Sequence, residues 1–283
     1  RSLVGSEMCI RDRLNIWKYE MKKYSCFDVI LDNQLAHIIL KRPEKRNSMT
    51  TDFWKEFPEI VSDINQEGMI RVIIISSTGP HFCSGLDLSI FQSDLLDINK
   101  QKENKAILLN NYIEILQNAL NILQDCRIPV ITAIQGGCIG GGLDLVCASD
   151  IRLGTKDSYF SILETKLGLV ADIGTFPWLV KLVPDGLVRE LAFTGRNFSS
   201  QEAKEYGFVN RLYESHEALI EGALEIANEI ASNSPAAVYG CKRVIDFSRD
   251  HTIDEGLEWI NMWNASMLSQ SELKEGFRSY KDK

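Results

Sequence analysis

The chain reads as an α/β protein with a helical C-terminal appendage, and three observations point there. Short apolar, β-branched runs alternate with segments whose apolar residues recur at helical spacing, the pattern of a sheet covered by helices. One run, Val130–Ile134, leads directly into Gly136–Leu145, read as GGCIGGGLDL: a strand, a glycine-rich turn and a helix start. From Ser199 onward helix-capping signals dominate.

Taken in order, residues 1–20 lack both the apolar stretch of a secretory signal and the acid-free, Ser-rich look of a transit peptide. They read as a tail outside the fold. Ala36–Leu40 is a strand, Arg42–Asn47 a loop, and a helix runs from about Thr51 to Gln66. Arg71–Ser76 is a second, buried strand. The turn-rich Thr78–Leu88, read as TGPHFCSGLDL, follows. Ile113, Leu116, Leu120 and Leu123 then mark an amphipathic helix from about Lys102 to Cys126, stopped by Pro129.

Beyond the glycine turn, Asp150–Leu153 is a strand, Tyr159–Asp172 a loop with the acids Glu164 and Asp172, and Ile173–Leu182 a helix. Ser199 with Glu202 forms a capping box, Gly207 closes that helix, and Phe208–Tyr213 is a last strand. Ser215 caps a helix to about Ala231, Pro235 begins another, Thr252–Leu268 forms a third, and Ser269 with Glu272 opens a further turn. Trp259, Met262 and Trp263 crowd this region and suit burial against a neighbouring subunit. The expected organisation is a tail over 1–20, a core over 21–214 and a helical oligomerisation domain over 215–283.

Composition bounds the chemistry. With 283 residues, 45% hydrophobic and 25% charged, the chain can bury a full core. The net charge of −8 argues against a nucleic-acid partner, because phosphate backbones are held by clustered Lys and Arg. The apolar runs are strand-length, short of the roughly 20 residues of a membrane span. Seven scattered cysteines without a C-x-x-C pair suggest a reducing compartment. Four histidines without ligand spacing leave no expected metal site. G-x-S-x-G and G-x-G-x-x-G are both absent, which disfavours a serine hydrolase elbow and a dinucleotide module.

Chemistry is therefore sought at the glycine turn. Glycines let a ligand approach the backbone, and unpaired amide N–H groups at a helix start suit an oxygen that develops negative charge. Asp144 in that first turn is read against the simple alternative of a dipole complement.

Together, Gly136–Asp150, Glu164, Gly168 and the earlier Cys83–Leu88 resemble the crotonase (enoyl-CoA hydratase/isomerase) superfamily, over Phe27 to the C-terminus. The triplet Asp144, Glu164 and Asp172 is most similar to its dienoyl-CoA isomerase branch. Typical hydratases carry glutamate in place of Asp144 and no acid in place of Asp172. The resemblance implies a spiral of ββα units with a C-terminal helical domain that trimerises, trimers often pairing into hexamers. It implies conversion of a 3,5-dienoyl-CoA to its 2,4-isomer in fatty-acid β-oxidation, with coenzyme A part of the substrate and no separate cofactor. The amides of Leu86 and Gly141 would form an oxyanion hole. Glu164 would serve carbon 2, Asp172 carbon 6, and Asp144 would tune its neighbours or orient water. Cys83, Ser84, Gly85, Leu86, Asp87 and Gly141 would contact substrate, Cys83 lining the acyl-CoA channel. Lys45, Arg46 and Lys283 would meet the CoA phosphates. The expected location is the cytoplasm, with the mitochondrial matrix as alternative. The competing activities are hydration of a 2-enoyl-CoA by Asp144 and Glu164, and an RNA-binding or scaffolding role, which the acidic balance opposes.

Overall fold

The computed structural model describes residues 22–87, 90, 105–270, 273, 274, 277 and 278. Residues 1–20, Lys283 and the turn at Glu272 lie outside the described residues.

A six-stranded sheet forms the frame, in the order β1-β2-β3-β4-β6-β9. Its strands are β1 (Phe27–Asp32), β2 (Leu35–Leu40), β3 (Val72–Ser77), β4 (Val130–Ile134), β6 (Ile151–Thr155) and β9 (Arg211–Tyr213). β1 and β2 form an antiparallel hairpin turned at Asn33 in the left-handed region, while every later pair is parallel. β1 went unread in the sequence because FDVILD is half-exposed and offers no continuous apolar run.

β3 is buried throughout, which explains its uninterrupted apolar sequence. Alternate side chains serve opposite faces. Ile73 and Ile75 point into the main core with α1 (Thr51–Glu67) and α2 (Lys105–Asp125), while Val72 and Ile74 meet α7 (His216–Ala231). Within the main core, Phe53 stacks on Phe57 and Phe27 packs tilted against both, with ring centroids 5.0 to 5.8 Å apart. α7 presents Leu219, Ala223 and Ala227 to the sheet, so the core extends through a helix expected to belong to the appendage.

The glycine stretch holds more structure than a turn. β5 (Gly137–Ile139) pairs with β7 (Tyr159–Ser161), and β7 with β8 (Phe198–Ser199), making a second, three-stranded sheet. Only then does α3 (Gly141–Cys147) begin. The expected loop after Tyr159 thus contains β7 and a 3-10 turn, Glu164–Leu167. The helix expected over 173–182 is shorter, α4 (Thr175–Leu179). After Pro184 comes α5 (Asp185–Thr194), and the capping box of Ser199 and Glu202 opens α6 (Ser200–Glu205) as expected.

α8 (Pro235–Asp250) is pinned to the core by Lys242, whose buried ammonium donates to Leu123 O at 2.8 Å, Ile128 O at 3.2 Å and Asp150 Oδ2 at 2.9 Å. α9 (Ile253–Met267) packs on α8, with Trp263 edge-on to Tyr239 and Trp259 stacked on Phe247. The two tryptophans therefore find part of their cover within the chain. No described helix is long and apolar enough to cross a membrane.

Candidate active site

The site is assembled at the ends of β3 and β4 by a buried asparagine. Arg46 and Asn47 both adopt positive φ, 50° and 53°, a conformation asparagine tolerates better than most residues. Asn47 Oδ1 accepts from the Arg42 amide at 2.8 Å, and its Nδ2 donates to Thr78 O at 2.9 Å and His81 O at 3.0 Å. One side chain thus ties the loop after β2 to the loop after β3. In the sequence Asn47 stands only as the end of the Arg42–Asn47 loop, although an asparagine closing a Pro-containing loop is a recognisable turn signal.

The backbone then zips the loop onto the glycine stretch. Cys83 N donates to Gly137 O at 3.2 Å, and Ile139 N to Cys83 O at 3.0 Å. Ser84 N donates to Arg46 O, Met49 N to Gly85 O and Asp87 N to Met49 O. Gly85 has a φ of 86°, and a Cβ there would lie 2.8 Å from Ile139 O and 3.1 Å from Gly141 N. Glycine is required on both counts. The chain following Gly85 is thereby pressed against the start of α3, bringing the amides of Leu86 and Gly141 into one neighbourhood. Neither amide donates a hydrogen bond to a described residue.

Cys83 is fully buried and holds this loop from behind. Its Sγ donates to Asn47 O at 3.1 Å and accepts from Gly85 N at 3.4 Å. Burial pushes the thiol up to about 12, so it is no nucleophile at neutral pH. The expectation that Cys83 lines an acyl-CoA channel is corrected on this point: with no exposed surface, it supports the wall. Ser84, Leu86 and Asp87 keep partial exposure, and Asp87 accepts from Ser48 Oγ at 2.7 Å.

Three carboxyls come within electrostatic reach of one another. Asp144, on α3, is 1% exposed, and burial raises it to about 7 against the opposing bonds from Thr175; the charges of Glu164 and Asp172 raise it further. Glu164 stands at the start of the 3-10 turn, raised chiefly by burial and also by Asp172. Its Oε2 is buried and accepts no bond from a described residue. Gly140 adopts a φ of 52°, which favours glycine, and a Cβ there would lie 3.0 Å from Glu164 Oε1, so the carboxyl packs closely against this backbone. Asp172 lies in the open loop before α4, and partial desolvation raises it too. It does not cap a helix: α4 is capped by Gly174. Its backbone is fixed by Gln117 of α2, whose Nε2 donates to Asp172 O at 2.6 Å. All three are held above the ordinary carboxylate range, chiefly by burial, which favours an acid that holds a proton near neutral pH.

Lys45 and Arg46 are exposed beside the Asn47 loop. Among the described residues no cluster of three His, Cys, Asp or Glu could hold a metal ion. A cavity of about 470 Å³ lies elsewhere, between the start of α8 and the end of α9.

A sequence model of the enoyl-CoA hydratase/isomerase family matches residues 31–283. The chain belongs to that family. Among its members, the peroxisomal Delta(3,5)-Delta(2,4)-dienoyl-CoA isomerase of Arabidopsis thaliana is 38% identical over 260 residues, 90% of this chain and 94% of the relative. The mitochondrial enzyme of the same name from Homo sapiens is 40% identical over 241 residues, 84% of this chain and 74% of the relative. The solved structure of a Thermobifida fusca family protein in complex with CoA, 25% identical, superposes with a TM-score of 0.79 and covers 89% of this chain and 95% of its own. The family fold is accordingly the spiral of strand and helix units expected from the motifs.

Proposed function

We propose that this family member converts a 3,5-dienoyl-CoA to the 2,4-dienoyl-CoA, the double bonds moving as a proton leaves carbon 2 and another arrives at carbon 6. The observation that carries the reading is that Asp144, Glu164 and Asp172, all raised, belong to the same neighbourhood as the amides of Leu86 and Gly141, which donate to no described residue. The names of the two dienoyl-CoA isomerase relatives support it.

The thioester α-proton is a weak acid, and the two amides would hold the carbonyl oxygen as negative charge develops there, a contribution of roughly 10²–10³ in rate per donor. Glu164, with its unpartnered Oε2, would take the proton from carbon 2, the electron pair spreading along the chain as an extended enolate. Asp172, protonated beforehand, would deliver its proton at carbon 6. Two carboxyls are needed because the carbons are several bonds apart. Asp144 would sit behind them and set their protonation. Ser84, Gly85, Leu86, Asp87 and Gly141 would line the thioester end, and exposed Lys45 and Arg46 would meet the CoA phosphates. Coenzyme A enters as part of the substrate, without a separate cofactor. The relative solved in complex with CoA supports an acyl-CoA substrate.

A homo-oligomer, trimer or hexamer, fits the apolar residues exposed on α9. The relatives' names, peroxisomal and mitochondrial, favour an organelle over the cytoplasm expected from the sequence.

The deciding experiment supplies a 3,5-dienoyl-CoA and follows the absorbance of the 2,4-product with mass analysis. Isomerisation without change in mass is expected. Inertness toward the diene, with water added to a 2-enoyl-CoA instead, would move the assignment to a hydratase.

A further inference from the structure

We propose that Thr175 is a positioning residue for Asp144: its amide and hydroxyl both donate to Oδ1 and hold that oxygen, leaving Oδ2 as the atom that gains and loses the proton. The distances are 2.5 Å from the amide nitrogen and 2.6 Å from Oγ1. Both residues are 1% exposed, so neither donor is diverted to solvent. No sequence motif flags Thr175, which precedes no charge and opens a helix of only five residues.

An oxygen that already accepts two short bonds is a poor place for a proton, because protonation there would set an O–H against two donors. The carboxyl plane is fixed as well, since both bonds anchor the same end. Around it, the charges of Glu164 on the 3-10 turn and Asp172 in the loop before α4 both favour the neutral form. Cys138 on β5 and Cys147 on α3 face it as thiols held neutral by burial, and α4 carries no titratable side chain. Thr175 supplies the opposing influence: two donors that favour the charged form. The balance leaves Asp144 titrating near neutrality, and the hydroxyl is the one part of that balance a conservative substitution can remove.

The test is a carboxyl titration of the full chain by infrared difference spectroscopy with isotopically labelled aspartate, Asp144→Asn serving to assign the band. Thr175→Val keeps the amide and the size while losing the hydroxyl. Its Asp144 midpoint is expected to rise by about one pH unit, and Thr175→Ser to return it to the wild-type position. Thr175→Ala, which also lacks the hydroxyl, reports the same shift should the valine variant fail to fold. The limb of the isomerisation pH profile belonging to Asp144 should move by the same amount. An unmoved midpoint in folded Thr175→Val or Thr175→Ala overturns the inference, whatever the activity. The role in turnover rests on the isomerase reading, and the two fail separately: a shifted midpoint in a protein inert toward the diene upholds Thr175 and overturns the isomerase.

Discussion

Cys83 and Cys138 form an isolated parallel bridge between the loop after β3 and the glycine stretch after β4. That single rung sets the approach of Gly85 to Gly141 and hence the placement of the Leu86 amide. Gly85→Ala would force a Cβ into a gap of 2.8 Å from Ile139 O at a φ unfavourable to alanine. Turnover is expected to fall by roughly 10²–10³, as for loss of one oxyanion donor, while circular dichroism stays native. Gly141→Pro, which removes the other donor outright, should be at least as damaging. Near-native turnover in folded Gly85→Ala would detach this bridge from the chemistry.

Asp144 makes stability depend on pH in a direction opposite to a salt-bridged carboxylate. Its folded value, about 7, lies above the ordinary 3.8, so between those limits the folded state binds more protons than the unfolded chain. Stability from this group is complete below about pH 4 and is lost as pH rises through 7. Asp144→Asn retains an acceptor for Thr175 and carries no charge to bury. It should be more stable than wild type at pH 8, by up to about 4 kcal/mol, with the difference vanishing near pH 4. Urea midpoints at the two pH values measure it, and equal midpoints at pH 8 would show that burial of this carboxylate costs little. Turnover should fall in the same variant.

Assembly offers a third test. Ile253 is 82% exposed, Leu268 64% and Met262 54%, apolar side chains distributed over the surface of α9 and its end that α8 leaves uncovered. Light scattering at micromolar concentration is expected to report a trimer or hexamer. A stable monomer would leave this surface without a self-association role.

The caps at Ser199 and Ser215, Pro235 at the start of α8 and the amphipathic α2 were legible in the sequence because each rests on local chemistry within one turn of helix. β5 was not: three residues among glycines carry no periodicity, and the strand exists because Cys83 and β7 offer it partners from distant positions. The three carboxyls could be selected by residue type and family register. Their coupling could not, since it depends on Gly140 admitting Glu164 and on a threonine well separated in sequence from Asp144. Cys83 was misplaced for a related reason. Its position in the motif marks the loop, but only the fold decides which side of the loop faces inward.

The last prediction separates the two proton-transfer acids. Asp172 sits in an open loop with its backbone tied to Gln117, whereas Glu164 is tucked behind Gly140 with an unpartnered oxygen. If Glu164 serves carbon 2 and Asp172 carbon 6, Asp172→Asn leaves the first half-reaction intact. The extended enolate still forms on the oxyanion amides and is reprotonated where it began. In heavy water this variant should exchange label into carbon 2 of the 3,5-dienoyl-CoA without making the 2,4-isomer. Glu164→Gln should do neither, since no base then opens the sequence. Each loss should reach roughly 10²–10⁴ in rate, the usual share of a general acid or base. Mass spectrometry of recovered substrate reads the exchange and absorbance reads the product. Wild-type isomerisation by Asp172→Asn would return Asp172 to a solvent-facing loop and leave Asp144 and Glu164, the pair expected of a hydratase, as the working acids.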